Sequence, residues 1–194
     1  MNEQFAILFK LPYQQNQTIM KKVSVLFISI FAVLLMAVPM QAQDGMKALF
    51  DGQFNYASRV LQLAEAMPAE TYDWSPEEGV RSVGEVYTHI AQANYMMVGA
   101  FGIEAPVDAQ SLGSLTDKDE IVAALQQSNE FVLSSVADLS DDQLSATYDL
   151  FGRTISGEGV LVFILNHMSE HVGQSIAYAR MNNITPPWSE GGGM

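Results

Sequence analysis

Helical periodicity limits the folds open to this chain more than any other feature of its sequence. Apolar residues recur every three or four positions in four stretches, at about residues 44–66, 82–100, 116–137 and 157–182. After the N-terminal segment, the sequence shows no clean apolar–polar alternation of the kind expected for a half-buried strand. The pattern therefore predicts an all-α fold, a four-helix bundle, with the fourth stretch the most apolar and the most buried.

Capping and turn-forming residues divide these stretches. Ser82-Val83-Gly84-Glu85 has the form of a capping box and predicts the start of the second helix, and residues 140–143 predict a short additional helix. Turn formers mark the connections at Pro68 and at residues 74–76, 102–113 and 152–159. Connections of this length favour a crossover topology over a minimal up-and-down bundle.

The N-terminal segment is set apart from the rest of the chain by its composition. Residues 23–40 form eighteen consecutive positions without a charge, directly after Lys21 and Lys22. A basic region, an apolar region and a Gln-rich exit are typical of a secretory signal, here with cleavage after Ala42. Eighteen uncharged and mostly apolar residues are also long enough for a membrane-spanning anchor, but Pro39 and the Gln-rich exit favour cleavage.

The predicted domain organisation follows from this segment. Residues 1–42 form the signal peptide, with Met20 as an alternative start, residues 43–189 form the bundle, and residues 190–194 form a disordered tail. We therefore expect a bacterial protein that is periplasmic or secreted. After cleavage it would have no stable membrane span.

Composition excludes several function classes. The chain has 22 acidic and 9 basic residues, and removal of residues 1–42, which hold one acidic and three basic residues, changes the net charge from −13 to −15. Such a charge argues against nucleic acid or an anionic membrane as partner. The absence of cysteine excludes disulfides, thiolate metal sites and cysteine nucleophiles. Any metal chemistry must therefore use histidine and carboxylate side chains.

The chain contains only three histidines, and their positions suggest a common site. His167 and His171 are four residues apart on the fourth helix, so both rings project from one face. His89 lies on the face of the second helix that is expected to meet the bundle interior. Together these three residues predict a divalent metal site. The alternative is a purely structural module in which each histidine is a hydrogen-bonded core residue.

Four other polar residues are weaker candidates for a role at this site. Gln174 and Tyr178 continue the histidine stripe, where Gln174 would orient a bound group and Tyr178 would supply a second hydrogen bond. The string from His167 to His171 matches the inverted zinc-protease pattern H-x-x-E-H, which would make Glu170 a general base, although a solvated surface position explains Glu170 equally simply. Glu85 could hydrogen-bond the outer nitrogen of His89 or serve only in the capping box.

The sequence resembles the DinB/YfiT-like family of four-helix bundles over roughly residues 46–189. The resemblance rests on Asn166-His167-Met-Ser-Glu-His171-Val-Gly-Gln174, on Tyr178, Arg180 and Pro186-Pro187-Trp188, and on residues 74–85 leading to His89. It implies an up-down-down-up bundle with a long crossover. It also implies a metal triad formed by His89, His167 and His171, for which zinc, nickel and iron are the metals known in the family.

The resemblance also sets expectations about activity. Relatives include thiol-dependent transferases, isomerases and hydrolases, and dimers are common among them. We therefore expect an exported metal-dependent hydrolase or transferase that acts on a small molecule, and a homodimer is a further expectation. Export makes the use of a cytosolic thiol less favoured than in the family at large. The alternative is a non-catalytic periplasmic bundle that binds a metal or another ligand.

Overall fold

The computed structural model describes residues 22–24 and 45–189 of the chain. The chain divides into two compact units, Met1–Asp44 and Gly45–Met194. Residues 22–24, which are helical, are the described part of the first unit. The remainder of the predicted signal peptide and the predicted tail at residues 190–194 lie outside the described residues. Within the described ranges, no helix combines the length and the apolar character needed to cross a membrane.

Between residues 45 and 189 the chain forms six α-helices and one hairpin. In chain order these are α1 (residues 45–57), α2 (Val60–Ala66), α3 (Val83–Gly99), α4 (Lys118–Asp138), α5 (Asp141–Ser145), β1 (Thr147–Leu150), β2 (Arg153–Ser156) and α6 (Gly157–Met181). Short 3₁₀ segments lie at Ala69–Thr71, Ala109–Ser114 and Pro187–Ser189. The predicted helical bundle is confirmed, with α1 and α2 together as its first helix. That helix is interrupted at residues 58–59.

Side-chain caps determine where the main helices begin. The Ser82 hydroxyl accepts a hydrogen bond from the Glu85 N–H, and the Glu85 carboxylate accepts one from the Ser82 N–H at 2.7 Å. Asp117 caps α4 by accepting from two main-chain N–H groups of the first turn. Each cap satisfies donors that the helix itself leaves unpaired.

Contacts between helices give the direction of each one in the bundle. Gly84 lies against Ile121 near the starts of α3 and α4, and Asn94 bonds Asn129 further along both helices, so α3 and α4 are parallel. The long connection of residues 100–117 makes this possible, because parallel neighbours need a crossover. At the start of α4, Lys118 donates a hydrogen bond to the main-chain oxygen of Glu65, near the end of α2.

Two other pairings are antiparallel. Lys47 near the start of α1 bonds the carbonyl oxygen of Ala137 near the end of α4, so the first helix and α4 run in opposite directions. Tyr178 near the end of α6 bonds the carbonyl oxygen of Arg81 just before α3, which makes α3 and α6 antiparallel as well. The bundle is therefore up-down-down-up, as expected.

The expectation that no strand is present was wrong for residues 147–156. β1 and β2 pair in antiparallel register from Thr147 opposite Ser156 to Leu150 opposite Arg153. Phe151 and Gly152 form the two-residue turn, and their φ angles of 55° and 75° match a type I′ turn. Each strand has only four residues, which is too short to show a clear alternation in the sequence. Phe151 also occupies a turn position that usually holds asparagine or aspartate, so the sequence gives no hairpin signal.

The hydrophobic core lies between the four long helical segments. Its largest fully buried side chains come from every helix and include Phe54, Leu63, Ile90, Leu125 and Ile164. The expectation that the fourth helical stretch is the most buried was wrong, because α3 has 12 buried residues among 17 and α6 only 9 among 25. Histidine lies at the edge of this core on both α3 and α6, where the rings are half-buried. The packing thus holds both helices rigidly beside the candidate site.

Candidate metal centre

The antiparallel pair α3 and α6 brings the three histidines together. His167 and His171 lie one turn apart on α6, and His89 faces them from α3. The Nε2 atom of His167 is 3.1 Å from that of His89 and 3.2 Å from that of His171. The potential ligand atoms of the three residues all lie within 4.8 Å of one another. The structure therefore confirms the predicted convergence.

The spacing of these nitrogens fits a shared metal ion. Two nitrogens bound to tetrahedral zinc at about 2.0–2.1 Å lie about 3.3–3.4 Å apart, and two at right angles lie about 2.8–3.0 Å apart. The two Nε2–Nε2 distances of 3.1 and 3.2 Å fall between these limits. Three imidazoles suit zinc, nickel and iron alike, so the residues present fit a divalent metal without selecting one.

Burial keeps two of the rings neutral at physiological pH. Loss of hydration, followed by the charges of the nearby Arg81 and His171, lowers the pKa of His89 to about 4. The same loss of hydration, followed by the charges of His171 and His89, lowers the pKa of His167 to about 4. A neutral imidazole retains a lone pair for a metal, so these pKa shifts favour metal binding.

The outer nitrogen of His171 is tied to a chain of polar groups. His171 Nδ1 lies 2.8 Å from Gln174 Oε1, and Gln174 Nε2 donates to the Tyr178 hydroxyl at 3.0 Å. The Tyr178 hydroxyl in turn donates to the carbonyl oxygen of Arg81 at 3.1 Å. The Trp74 ring packs edge-on against the Tyr178 ring, with 5.4 Å between centroids. Gln174 therefore lies behind His171 and contacts a ligand residue instead of the open face of the cluster.

The outer nitrogen of His167 has a different environment. His167 Nδ1 is buried and has no hydrogen-bond partner among the described residues. The two neighbouring histidines of α6 are thus held in different ways, one through its outer nitrogen and one by packing.

The other candidate residues lie at the edge of the site or away from it. Glu170 is exposed on α6, in agreement with a solvated surface position. The Glu85 carboxylate is engaged in the capping box of α3. Sequence reasoning missed the Arg81 carbonyl, because a main-chain acceptor 97 residues away from Tyr178 leaves no pattern in the side chains.

The family follows from a comparison with known proteins. The chain belongs to the DinB superfamily, whose family model matches residues 56–175, a range that includes all three histidines. No curated protein matches the sequence significantly.

Solved structures share the fold at low sequence identity. A DinB-like protein from Bacillus cereus ATCC 10987 is 20% identical, with 71% of this chain and 93% of that chain covered at a TM-score of 0.65. A DinB-like protein from Bacillus subtilis, YjoA, is 18% identical over 73% of this chain and 94% of that chain, with a TM-score of 0.55.

A third similar structure carries a functional description of its own. YfiT from Bacillus subtilis is 16% identical, with 74% of this chain and 89% of that chain covered at a TM-score of 0.55. It is described as a probable metal-dependent hydrolase with an unusual four-helix bundle topology. At this identity the likeness establishes the shared fold.

Proposed function

We propose that this protein binds one divalent metal ion through His89, His167 and His171 and uses it to hydrolyse, or transfer a group from, a small-molecule substrate. The observation that carries the proposal is the convergence of three Nε2 atoms, with separations of 3.1 and 3.2 Å, at the edge of the core. Three neutral imidazoles placed together can share an inward N–H only between two of their nitrogens, so without a metal an inward lone pair is left without a partner. A shared metal ion supplies that partner.

The number and exposure of the ligands support a catalytic role. Three protein ligands leave an open position, which is typical of catalytic zinc sites and not of closed structural ones. All three rings are half-buried, so a small molecule can approach from solvent. A bound metal would lower the pKa of a water molecule or polarise a substrate carbonyl. The description of YfiT as a probable metal-dependent hydrolase supports the same reaction class.

Location and partners complete the proposal. The uncharged segment at residues 23–40, preceded by two lysines, supports export through a signal peptide to the periplasm or beyond. The net charge of −15 after residue 42 supports a small-molecule substrate over nucleic acid.

Metal analysis of the protein purified without a histidine tag tests the proposal. We expect about one equivalent of metal per chain in the wild type. His89→Ala and His171→Ala should each lose this metal while the circular dichroism spectrum stays helical. Met96→Ala, an exposed position on the same helix as His89, is the matched control and should keep the metal. Wild-type metal content in both histidine variants would contradict the proposal.

A non-catalytic metal- or ligand-binding role is the second candidate. It is favoured by one observation: among the described residues, the three rings have hydrogen bonds only to one another and to Gln174, so no carboxylate is placed beside them as a base. Cobalt-substituted protein separates the two candidates. Rapid exchange of a metal-bound water supports catalysis, whereas a site without exchangeable water supports binding alone.

A further inference from the structure

We infer that Gln174 and Tyr178 are positioning residues that hold His171 in a single tautomer through a hydrogen-bond chain anchored on the Arg81 carbonyl. The chain crosses from α6 to the residue before the cap of α3. Its effect is to leave the His171 Nε2 lone pair facing His89 and His167. Only the consequence for metal binding rests on the proposed function, because the tautomer is a property of the metal-free protein.

The donor and acceptor roles along this hydrogen-bond chain follow from its last member, the Arg81 carbonyl. A main-chain carbonyl oxygen can only accept a hydrogen bond, so the Tyr178 hydroxyl must donate its single proton to Arg81 at 3.1 Å. The Tyr178 oxygen is then available only as an acceptor. Its neighbour at 3.0 Å must therefore be a donor, which requires the NH₂ group of Gln174 to face Tyr178.

The orientation of Gln174 then determines the protonation of His171. With its NH₂ group on Tyr178, the Gln174 amide turns its oxygen towards His171 Nδ1 at 2.8 Å. An amide oxygen accepts only, so Nδ1 must carry the hydrogen. A neutral imidazole has one N–H, and the hydrogen on Nδ1 leaves Nε2 with its lone pair. That nitrogen lies 3.2 Å from His167 Nε2, inside the cluster.

Packing around Tyr178 and the helix cap beside Arg81 hold both ends of this hydrogen-bond chain in place. Tyr178 is buried, with 6% of its surface exposed, and its ring contacts Trp74. Arg81 directly precedes Ser82, whose position is held by the capping box of α3. The chain therefore ties His171 to the same helix start that orients His89. His167 Nδ1, which has no partner among the described residues, has no comparable tie.

Three substitutions separate the steps of the argument. Gln174→Leu removes the acceptor at Nδ1 and releases His171 to exchange between both tautomers. Gln174→Glu keeps an acceptor at that position, so the Nδ1–H tautomer should persist and act as a rescue. Tyr178→Phe removes the donor to Arg81 and the acceptor for Gln174, so the amide can rotate and the tautomer should become mixed.

Nitrogen NMR of the metal-free, ¹⁵N-labelled protein at pH 7.5 reads the tautomer directly. We expect the Nδ1–H form of His171 in the wild type, in Gln174→Glu and in the control Gln126→Leu, whose glutamine lies on α4 and bonds Glu130. Gln174→Leu and Tyr178→Phe should give mixed tautomers. An Nε2–H form in the wild type, or an unchanged Nδ1–H form in both Gln174→Leu and Tyr178→Phe, would overturn the inference.

Zinc affinity measured by competition with a chelator gives the second readout. Loss of a partner behind a ligand histidine weakens metal binding by about 10–100-fold, and we expect this for Gln174→Leu but not for Gln174→Glu. Tautomer control without zinc binding in the wild type would refute the proposed function and leave the inference intact. Zinc binding that is equally tight in the wild type and in Gln174→Leu would refute the role of the chain in metal binding.

Discussion

The two sides of α3 both carry polar groups, but they are arranged for different purposes. Towards α4, Asn94 is completely buried and donates to the Ser128 hydroxyl at 3.1 Å and to the Asn129 side chain at 3.0 Å. Towards α6, His89 is half-buried and points its Nε2 at the same atom of His167. In the first cluster the Asn94 NH₂ group donates to two acceptors, while Asn94 Oδ1 and Asn129 Nδ2 have no partner among the described residues. In the second cluster, imidazole nitrogens of the same type lie together.

Because of this difference, one side of α3 contributes to the stability of the fold and the other side to metal binding. A buried amide that bonds the neighbouring helix penalises every alternative register, because a shift leaves the amide without partners. Convergent imidazole nitrogens gain little from one another and are best satisfied by an ion. We therefore expect the Asn94 side of α3 to contribute to folding and the His89 side to contribute to metal binding, with little coupling between them.

Removal of the buried amide should have the largest effect on stability. Asn94→Ala leaves the Asn129 side-chain oxygen without its donor, removes one of the two hydrogen bonds of the Ser128 hydroxyl and creates a cavity. These changes should lower the free energy of unfolding by about 2–4 kcal/mol. For a domain of this size the midpoint of thermal unfolding should fall by about 5–15 °C. Calorimetry of the metal-free protein measures this change.

The control for this substitution lies on the same helix. Met96→Ala changes an exposed side chain and should alter the stability by less than about 0.5 kcal/mol. Metal content per folded chain should equal the wild-type value in both variants. A loss of metal in folded Asn94→Ala would show that the two sides of α3 are coupled.

Metal bound on the His89 side of α3 should stabilise the folded protein by mass action. At a free zinc concentration of 100 times the dissociation constant, the folded state gains about 2.7 kcal/mol, and the unfolding midpoint should rise by about 5–10 °C. His89→Ala should abolish this rise. Asn94→Ala should start from a lower midpoint and show the full rise, since its change lies away from the ligands. A zinc-induced rise in His89→Ala equal to that of the wild type would refute the role of His89.

Most of the bundle and the histidine cluster could be predicted from the sequence, because both depend on helical spacing. The pair His167 and His171 is visible as an i, i+4 repeat, and the capping boxes at Ser82 and Ser140 mark helix starts through local contacts. These signals are contained within a few neighbouring residues. Both capping boxes and the convergence with His89 are present in the structure.

The features that the sequence did not reveal depend on a partner that is distant in the sequence, on an atypical turn residue and on a side-chain rotamer. The bond from Tyr178 to the Arg81 carbonyl joins residues 97 positions apart, and its acceptor has no side-chain identity. The hairpin is hidden because Phe151 occupies a turn position with a φ of 55°, which asparagine or glycine usually fills. Gln174 was placed on the correct face, but its contact with His171 depends on the rotamer and not on the spacing.

A pH titration should distinguish the two sides of α3 by a smaller effect. Because the folded-state pKa of His89 and His167 is about 4, below the ordinary value of 6.5, the unfolded chain binds protons between pH 6.5 and 4 that the folded chain does not. The free energy of unfolding of the metal-free protein should therefore fall as the pH drops through this window. The half-exposed rings reduce the effect to on the order of 1 kcal/mol.

The two variants already described make this test specific. Denaturant titrations at several pH values should show a shallower pH dependence in His89→Ala than in the wild type, since one depressed pKa is removed. Asn94→Ala should lower the stability at every pH with the wild-type slope, because amides and hydroxyls do not titrate in this range. An unchanged slope in His89→Ala would mean that this ring does not contribute to the pH dependence.

The smallest effect is expected at Glu85, one turn before His89, and it decides between two roles for this carboxylate. In the structure it accepts the Ser82 N–H and closes the capping box. Glutamine serves in the same motif, so Glu85→Gln should change the stability by less than about 0.5 kcal/mol, whereas Glu85→Ala should cost about 0.5–1 kcal/mol. Zinc affinity should stay within about twofold of the wild-type value in both variants, because neither substitution removes a hydrogen-bond partner of a ligand histidine. Loss of such a partner weakens metal binding by about 10–100-fold. A tenfold weaker zinc affinity in Glu85→Gln with unchanged stability would instead show that the negative charge of Glu85 acts on the histidine site. This substitution removes the charge and keeps the cap.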